Sequence, residues 1–460
     1  MDEVINAAAA TDLVVTSSTK KIKRLFGSTS STDMFFKGGQ APIGIDVEKD
    51  PWFTEFLKGG FTSISHGNGG FSRDYGIVED RMHIGGEGNG WNAIPPVDCS
   101  IKQGELCADF RVGGKNLDFW NSHMILRNKM GAENYIIANM LKGTLEQLYR
   151  QIDATLPQKV IFIQFNEETG PEQWGNGANY ANECYEWKAA IEKHYPQQRF
   201  RYVFDVPNLW NAENGISEKA ARWAEEIVSV KPVDKKKWSI RQYCHGWDMW
   251  ALTGNLENDI AQIDNAINKV LPEFTRIISE SVFAGCKVFL GQVSAHEYDK
   301  AGIIRGANYI VSAYARFTKH FIDSLIDGPV QYIGQCYIGM NSWINKQLAP
   351  NLDFQWVSVM NNLYVQGLKA CKFSGIDTEV DIYGGYKDRT LRIVMQNRSG
   401  REVALPKTFT FDGVQMDFVP VKVIGRACAA VNSTNSTDHD PTVKGFLSGY
   451  GIYYFEILGQ

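Results

Sequence analysis

Residues 159–170 read KVIFIQFNEETG. The run is apolar nearly throughout, rich in β-branched and aromatic side chains, and stops at Asn-Glu. A strand buried on both faces, as in a parallel sheet, has this composition. The pattern recurs along the chain in APIGIDV (41–47), GFTSIS (60–65), ENYIIAN (133–139), RYVFDVP (201–207), WSIRQYCH (238–245), KVFLGQVS (287–294) and VQYIGQCYI (330–338). Helix-like stretches separate most of them. DPWFTEFLKG (50–59) offers Asp50 as an N-cap and Pro51 in the first turn. TLEQLYRQIDATL (144–156) places Leu145, Leu148, Ile152 and Leu156 at helical spacing. SEKAARWAEEIVSV (217–230) and ANYIVSAYARFTKHFIDSL (307–325) behave alike. Strands alternating with helices in this number predict an α/β fold, a (β/α)₈ TIM barrel. A doubly wound open sheet is disfavoured, because the glycines of GGFTSISHGNGG do not form a GxGxxG turn that opens a helix.

From about residue 376 the rhythm changes. EVDIYGGY, RTLRIVMQN, GREVALPKTFTFDG, MDFVPVKVIG and GIYYFEIL alternate over short spans split by Gly, Asn and Asp. They predict a C-terminal antiparallel β-sandwich. The expected organisation is a polar N-terminal arm at 1–33, a barrel at 34–375 and a sandwich at 376–460. DLVVTSS in the arm is suited to lend the sandwich a strand.

The chain has 460 residues, 44% hydrophobic and 12% aromatic, with a net charge of −5. No basic field points to nucleic acid. Aromatic faces suit sugar rings, and they equally suit a core. The eight cysteines contain no CxxC pair, which argues against a zinc ribbon or a thioredoxin-type site. No run has the roughly 18 apolar residues of a membrane span. The N-terminus lacks the charged and apolar regions of a signal peptide. Export after processing, or release by lysis as for a virion component, is therefore favoured over a purely cytoplasmic location. A homo-oligomer is left open.

Barrel active sites gather where strands end. Those ends carry His66, Arg73 and Asp74; Asn139; Asn166, Glu167 and Glu168; Asp205 and Asn208; Tyr243, His245 and Trp247; Gln292, His296 and Glu297; and Gln335, Tyr337 and Trp343. Amides and carboxylates bind hydroxyls, and aromatic rings stack on pyranose faces. The set lacks a Schiff-base Lys, a close metal-ligand cluster and a phosphate cradle. Carbohydrate is the ligand class this chemistry suits, with no metal or organic cofactor implied. Each residue also has a plainer role open to it. Glu167 could cap the following helix, His66 and His245 could be core histidines, Tyr243 and Trp343 could fill the interior, Arg73 and Asp74 could pair at the surface, and Gln292 could be a buried amide.

A strand ending in Asn-Glu resembles the fourth barrel strand of the retaining glycoside hydrolases of clan A. The branch with arabinofuranosidases, β-xylosidases and the heparanase/β-glucuronidase group is the most similar. FTSISHGNGGFSRDY (61–75) and RQYCHGW (241–247) resemble its second and sixth strands, and the C-terminal sandwich fits it too. The resemblance implies a glycosidase with Glu167 as acid/base and Asn166 on the sugar 2-hydroxyl. It implies Tyr243 as an orienting group, and Asn139, His66, His245, Trp343 and Gln335 around the sugar. A retaining mechanism needs a second carboxyl group roughly 5–5.5 Å from the first. In this clan it ends strand seven, where this chain has Gln292. Three explanations stand open. Glu297 supplies the carboxylate; or Gln292 is a deliberate Glu-to-Gln replacement that traps a sugar; or the site is naturally altered. In the last case the alternative function is a non-catalytic carbohydrate-binding protein, such as a phage virion or receptor-binding component. A barrel enzyme of another class is a weaker third reading.

Overall fold

The computed structural model describes residues 12–22, 28–30, 57–61, 63–66, 75–76, 81–82, 119–167, 169–207, 210–211, 215–216, 218–245, 283–294, 330–332, 358–360, 367–428 and 436–459, with a few isolated positions besides. Strand β1 is Leu13–Ile22. Eight parallel strands then follow in chain order: β2 Ser28–Ser30, β3 Ser63–His66, β4 Glu133–Ala138, β5 Val160–Phe165, β6 Arg199–Val206, β7 Trp238–His245, β8 Lys287–Ser294 and β9 Val330–Tyr332. Each pairs with the next in the series.

The rings inside this sheet establish its curvature. Tyr135 of β4 lies 5.9 Å from Phe289 of β8, and Phe162 of β5 lies 5.4 Å from the same ring. In a flat sheet, strands β4 and β8 would stand about 19 Å apart at the usual strand spacing. The sheet therefore wraps around a shared interior, with Tyr135, Ile137, Phe162, Val203 and Phe289 as its packed floor. The fold is a TIM barrel joined to a β-sandwich. Among the described residues no pairing joins β2 to β9.

Ser28–Ser30, in the segment read as an arm, takes the first barrel position, and a Ser-Thr-Ser strand has no apolar signature to announce it. APIGIDV, expected there, lies outside the described residues, as do the stretches 50–56 and 307–325, expected to be helical. Helices α1 Phe119–Met130, α2 Leu145–Thr155, α3 Gly177–His194 and α4 Glu218–Val230 cover the sheet. Thr144 and Gln147 form a capping box that starts α2. Its buried face is Leu148, Gln151, Ile152 and Thr155, while Leu156 turns partly outward, so the expected stripe is rotated slightly. The Gly177 N–H donates to Glu226 Oε2 at 2.7 Å, and a Cβ at Gly177 would run into the Trp223 backbone. That glycine lets α3 and α4 approach closely. Between α3 and the sheet, Phe204 stacks on Trp238 at 3.8 Å.

A buried polar chain ties α1 and α2 to β4. Asn134 donates from Nδ2 to Thr155 Oγ1 at 2.6 Å, so its Oδ1 faces His123 Nε2 at 2.9 Å, and that nitrogen donates. Burial lowers the His123 pKa to about 4, the Asn134 bond opposes the shift, and Arg127 adds to it. A histidine lowered in the folded state resists protonation there, so stability is full above the unfolded value near 6.5 and falls as pH drops toward 4. Between pH 7.5 and 5 this group alone costs about 2 kcal/mol. Urea titrations at the two pH values are expected to show a smaller pH-dependent loss in His123→Gln than in the parent by about that amount. Equal losses would show that His123 does not carry the effect.

The C-terminal sheet has nine strands. Those after the barrel are β10 Leu368–Ser374, β11 Val380–Lys387, β12 Thr390–Asn397, β13 Thr408–Phe411, β14 Val414–Asp417, β15 Lys422–Cys428, β16 Ser436–Asp438 and β17 Ile452–Leu458. The order is β14-β13-β1-β10-β11-β12-β17-β15-β16, with β1 antiparallel to β10 and parallel to β13. Leu13, Val15, Ile393, Phe409, Phe418 and Phe455 share one core, so the sheet folds over itself. Strand β10 precedes residue 376, on the barrel side of the expected boundary, and joins this sheet. Its two exposed lysines, Lys369 and Lys372, mask its alternation in the sequence.

Candidate active site

Strand alternation points Phe162 and Gln164 into the barrel and Phe165 toward the helices. Glu167 would follow Phe165 outward, but Asn166 breaks the rule. Its φ is 62°, a left-handed conformation that Asn tolerates better than most side chains. The Asn166 N–H still donates to Ala138 O at 2.8 Å, and its carbonyl accepts from Gln164 Nε2 at 2.7 Å. The kink reverses the sense of the next residue. Glu167 thereby turns to the interior, fully buried. It does not cap a helix, since the short helix Pro171–Trp174 starts from Gly170. The Asn166 side-chain amide is buried with no hydrogen-bond partner among the described residues. Buried amides without partners are uncommon, and each calls for a specific explanation.

Glu167 meets a cation from two strands away. Arg241 Nη2 donates to Glu167 Oε1 at 2.7 Å, and Arg241 Nη1 donates to Asp205 Oδ1 at 2.9 Å. The side chains of all three are at most 2% exposed. Asp205 Oδ2 accepts from the Thr169 amide at 3.1 Å and its hydroxyl at 3.0 Å. Tyr180 of α3 donates to Phe165 O at 2.6 Å and accepts from the Asp205 N–H at 2.9 Å, clamping β5 and β6 together. Burial opposes the charge of Arg241, but Glu167 and Asp205 outweigh it and hold its pKa above the ordinary guanidinium value. Burial pushes Asp205 up, with Arg241 and Thr169 pulling the other way.

Known structures share this architecture. A family 51 α-L-arabinofuranosidase from Bifidobacterium longum superimposes with a TM-score of 0.62 at 13% identity, over 98% of this chain and 100% of that one. An α-L-arabinofuranosidase from Thermotoga maritima gives 0.59 at 11% identity, over 98% and 100%. A GH30 endoxylanase from Clostridium papyrosolvens gives 0.50 at 11% identity, over 98% and 100%. This chain has the fold of those glycosidases. The sequence matches no family model and no curated relative.

In that fold the remaining expected residues distribute as follows. His66 ends β3, Tyr243 and His245 lie at the end of β7, and Gln292 lies near the end of β8. The pairing of β7 with β8 slips at this point. Tyr243 pairs with Gly291, but His245 pairs with Ser294, so β8 carries an extra residue around Gln292 and Val293. Such bulges re-aim side chains beside active sites. Asn139 is half-buried and accepts from the Lys142 amide at 3.1 Å, a turn-closing role. Arg73, Asp74, Glu168, Asn208, Trp247, His296, Glu297, Gln335, Tyr337 and Trp343 lie outside the described residues. Arg241 was not singled out in the sequence. The signal was there, because a charge inside a buried parallel strand needs partners.

Proposed function

We propose that the chain is a glycoside hydrolase, or its close derivative, acting on a poly- or oligosaccharide by the retaining two-carboxylate route. The observation that carries this is Glu167, turned into the barrel at the end of the fourth strand by the left-handed Asn166. Glu167 is the acid/base. It gives its proton to the leaving glycosidic oxygen, then takes one from the water that releases the sugar. The Asn166 amide, buried without a partner, binds a sugar hydroxyl. Gln292 holds the nucleophile place and Tyr243 orients that group. His66, Asn139, His245, Trp343 and Gln335 complete the sugar site.

Pentosides head the substrate panel, because the arabinofuranosidases and the endoxylanase of like fold act on arabinofuranosides and xylan. The test is hydrolysis of aryl and natural glycosides by the chain and by its Gln292→Glu form. Glu167→Ala in the active background is expected to lower the rate by at least about 10²-fold, as loss of a general acid does. Cleavage unaffected by Glu167→Ala rules the assignment out.

A second reading has its own observation. Arg241 holds the Glu167 carboxylate, and the expected nucleophile position carries the amide of Gln292 in place of a carboxylate. That suits a protein that binds glycans without cleaving them, as a virion component would. Saturable binding of the same glycans, with no hydrolysis by the chain or by Gln292→Glu, decides for it.

A further inference from the structure

Helix α3 starts at a place fixed from three directions. Asn176 Oδ1 caps it by accepting from the Asn179 amide at 2.8 Å, Asn179 Nδ2 donates to Trp174 O at 3.0 Å, and the Gly177 N–H reaches Glu226 on α4. That start sets Tyr180 on the first turn, fully buried against the sheet. Its ring stacks on Trp223 at 5.4 Å and meets Trp174 and Phe204 edge-on at 5.5 Å and 6.3 Å. A ring held on three sides leaves its hydroxyl little freedom. Burial pushes the pKa of that hydroxyl well above the ordinary phenol value, with Cys184 and Asp205 adding to the rise, so it stays a proton donor.

The hydroxyl reaches the last rung between β5 and β6. Along a strand, the N–H and C=O of one residue face one neighbouring strand, and those of the next residue face the other. The Asn166 N–H donates to Ala138 O on the β4 side, so the Phe165 carbonyl faces β6. There Phe165 pairs with Phe204, and among the described residues the pairing of the two strands goes no further. Tyr180 Oη donates to Phe165 O at 2.6 Å and accepts from the Asp205 N–H at 2.9 Å. After Glu167, Thr169 gives its amide and its hydroxyl to Asp205 Oδ2. The stretch that presents Glu167 is thus bracketed, by Tyr180 at Phe165 before it and by Asp205 at Thr169 after it, and the Asp205 amide rests on the same Tyr180 hydroxyl. A left-handed residue such as Asn166 persists where surrounding bonds over-determine its backbone. We propose that Tyr180 is a positioning residue, whose hydroxyl locks the ends of β5 and β6 around this stretch and so fixes where the Glu167 carboxyl stands.

The catalytic meaning of this role rests on the glycosidase reading, so the test has two arms. Tyr180→Phe keeps the ring and removes the hydroxyl. In the substrate-free arm, hydrogen exchange of the full chain is followed by mass spectrometry. Exchange is expected to quicken about 10-fold in peptides spanning 163–170 and 203–206, with the rest of the barrel unchanged. A change spread evenly over the chain, or none at these strand ends, overturns the proposal. In the second arm, kcat/KM is measured in the Gln292→Glu background on phenyl and dinitrophenyl glycosides. A misplaced acid harms the phenyl glycoside, whose leaving oxygen needs a proton, and spares the dinitrophenyl one, whose leaving oxygen does not. The expected loss is at least about 10-fold on the first and under about 2-fold on the second. Hydrolysis with equal loss on both, or with none, overturns the proposal and leaves the glycosidase reading standing. Local loosening at the strand ends without hydrolysis in any background does the reverse. Trp223→Phe, which keeps the hydroxyl and loosens the ring stacked on Tyr180, is expected to give the same pattern more weakly. It serves as the reading if Tyr180→Phe does not fold.

Discussion

Gln292→Glu is expected to raise glycoside hydrolysis on the order of 10⁴-fold or more, about 5 kcal/mol of barrier. In a retaining reaction the second carboxylate attacks the anomeric carbon while the acid protonates the leaving oxygen. A carboxylate brings a negative charge to the forming oxocarbenium ion and leaves again as a stable anion. An amide oxygen is neutral, and its adduct carries a positive charge beside a carbon that is already electron-poor. The replacement is nearly isosteric, so binding of the sugar is expected to change far less than turnover. The slip in pairing between β7 and β8 falls at this residue. The measurement is release of nitrophenol from an arabinofuranoside and a xyloside, with intact-protein mass of a trapped 2-fluoroglycosyl adduct as the second readout. The adduct is expected on Glu at 292. If instead the parent chain is already active and Glu297→Gln abolishes that activity, the nucleophile is Glu297 and the assignment of Gln292 is wrong.

The barrel was legible because its central strands are apolar on both faces. WSIRQYCH and KVFLGQVS match β7 and β8 residue for residue. Burial on both faces leaves a continuous hydrophobic run, which is the strongest strand signal a sequence carries. The first barrel strand was not legible for the opposite reason. Ser28–Ser30 is three polar residues whose place is set by pairing with Ile64, Ser65 and His66. Strand β10 was hidden by its lysines. Of the site, Glu167 could be found because it ends a strand, but its direction could not. The turn inward depends on a backbone angle at Asn166, and Asn is compatible with both signs of φ. Arg241 and Asp205 sit one strand apart, 36 residues apart in sequence, and only pairing Arg241 with Asp205 in register brings them together. The sequence offers a charge inside an apolar run without its partner's identity.

That register also makes Arg241 the residue whose loss is expected to harm the fold most. Arg241→Met removes the only cation shown in contact with Glu167 and Asp205 among the described residues. Two buried carboxylates then face each other's field in a low-dielectric interior. Breaking a buried ion pair by removing one partner costs about 3–5 kcal/mol, and Arg241 is bonded to two buried carboxylates. A deficit at or above that range is expected in the urea midpoint at pH 7.5. Its pH dependence has a definite sign. Burial already pushes Asp205 up against the pull of Arg241, so losing that cation raises its folded-state pKa further above the unfolded one, and the folded state takes up the proton first. The Asp205 penalty is largest at neutral pH and shrinks as pH falls through the raised value, so the gap between variant and parent narrows at pH 5.5. Adding Asp205→Asn and Glu167→Gln to Arg241→Met is expected to recover most of the loss, because replacing a whole buried charge cluster with neutral groups of similar shape is often close to neutral. A structural role for the arginine stem alone makes different predictions: the same deficit at both pH values, and no recovery in the triple variant. Either result would show that packing, and not the shared cation, holds β5, β6 and β7 in register around the candidate acid.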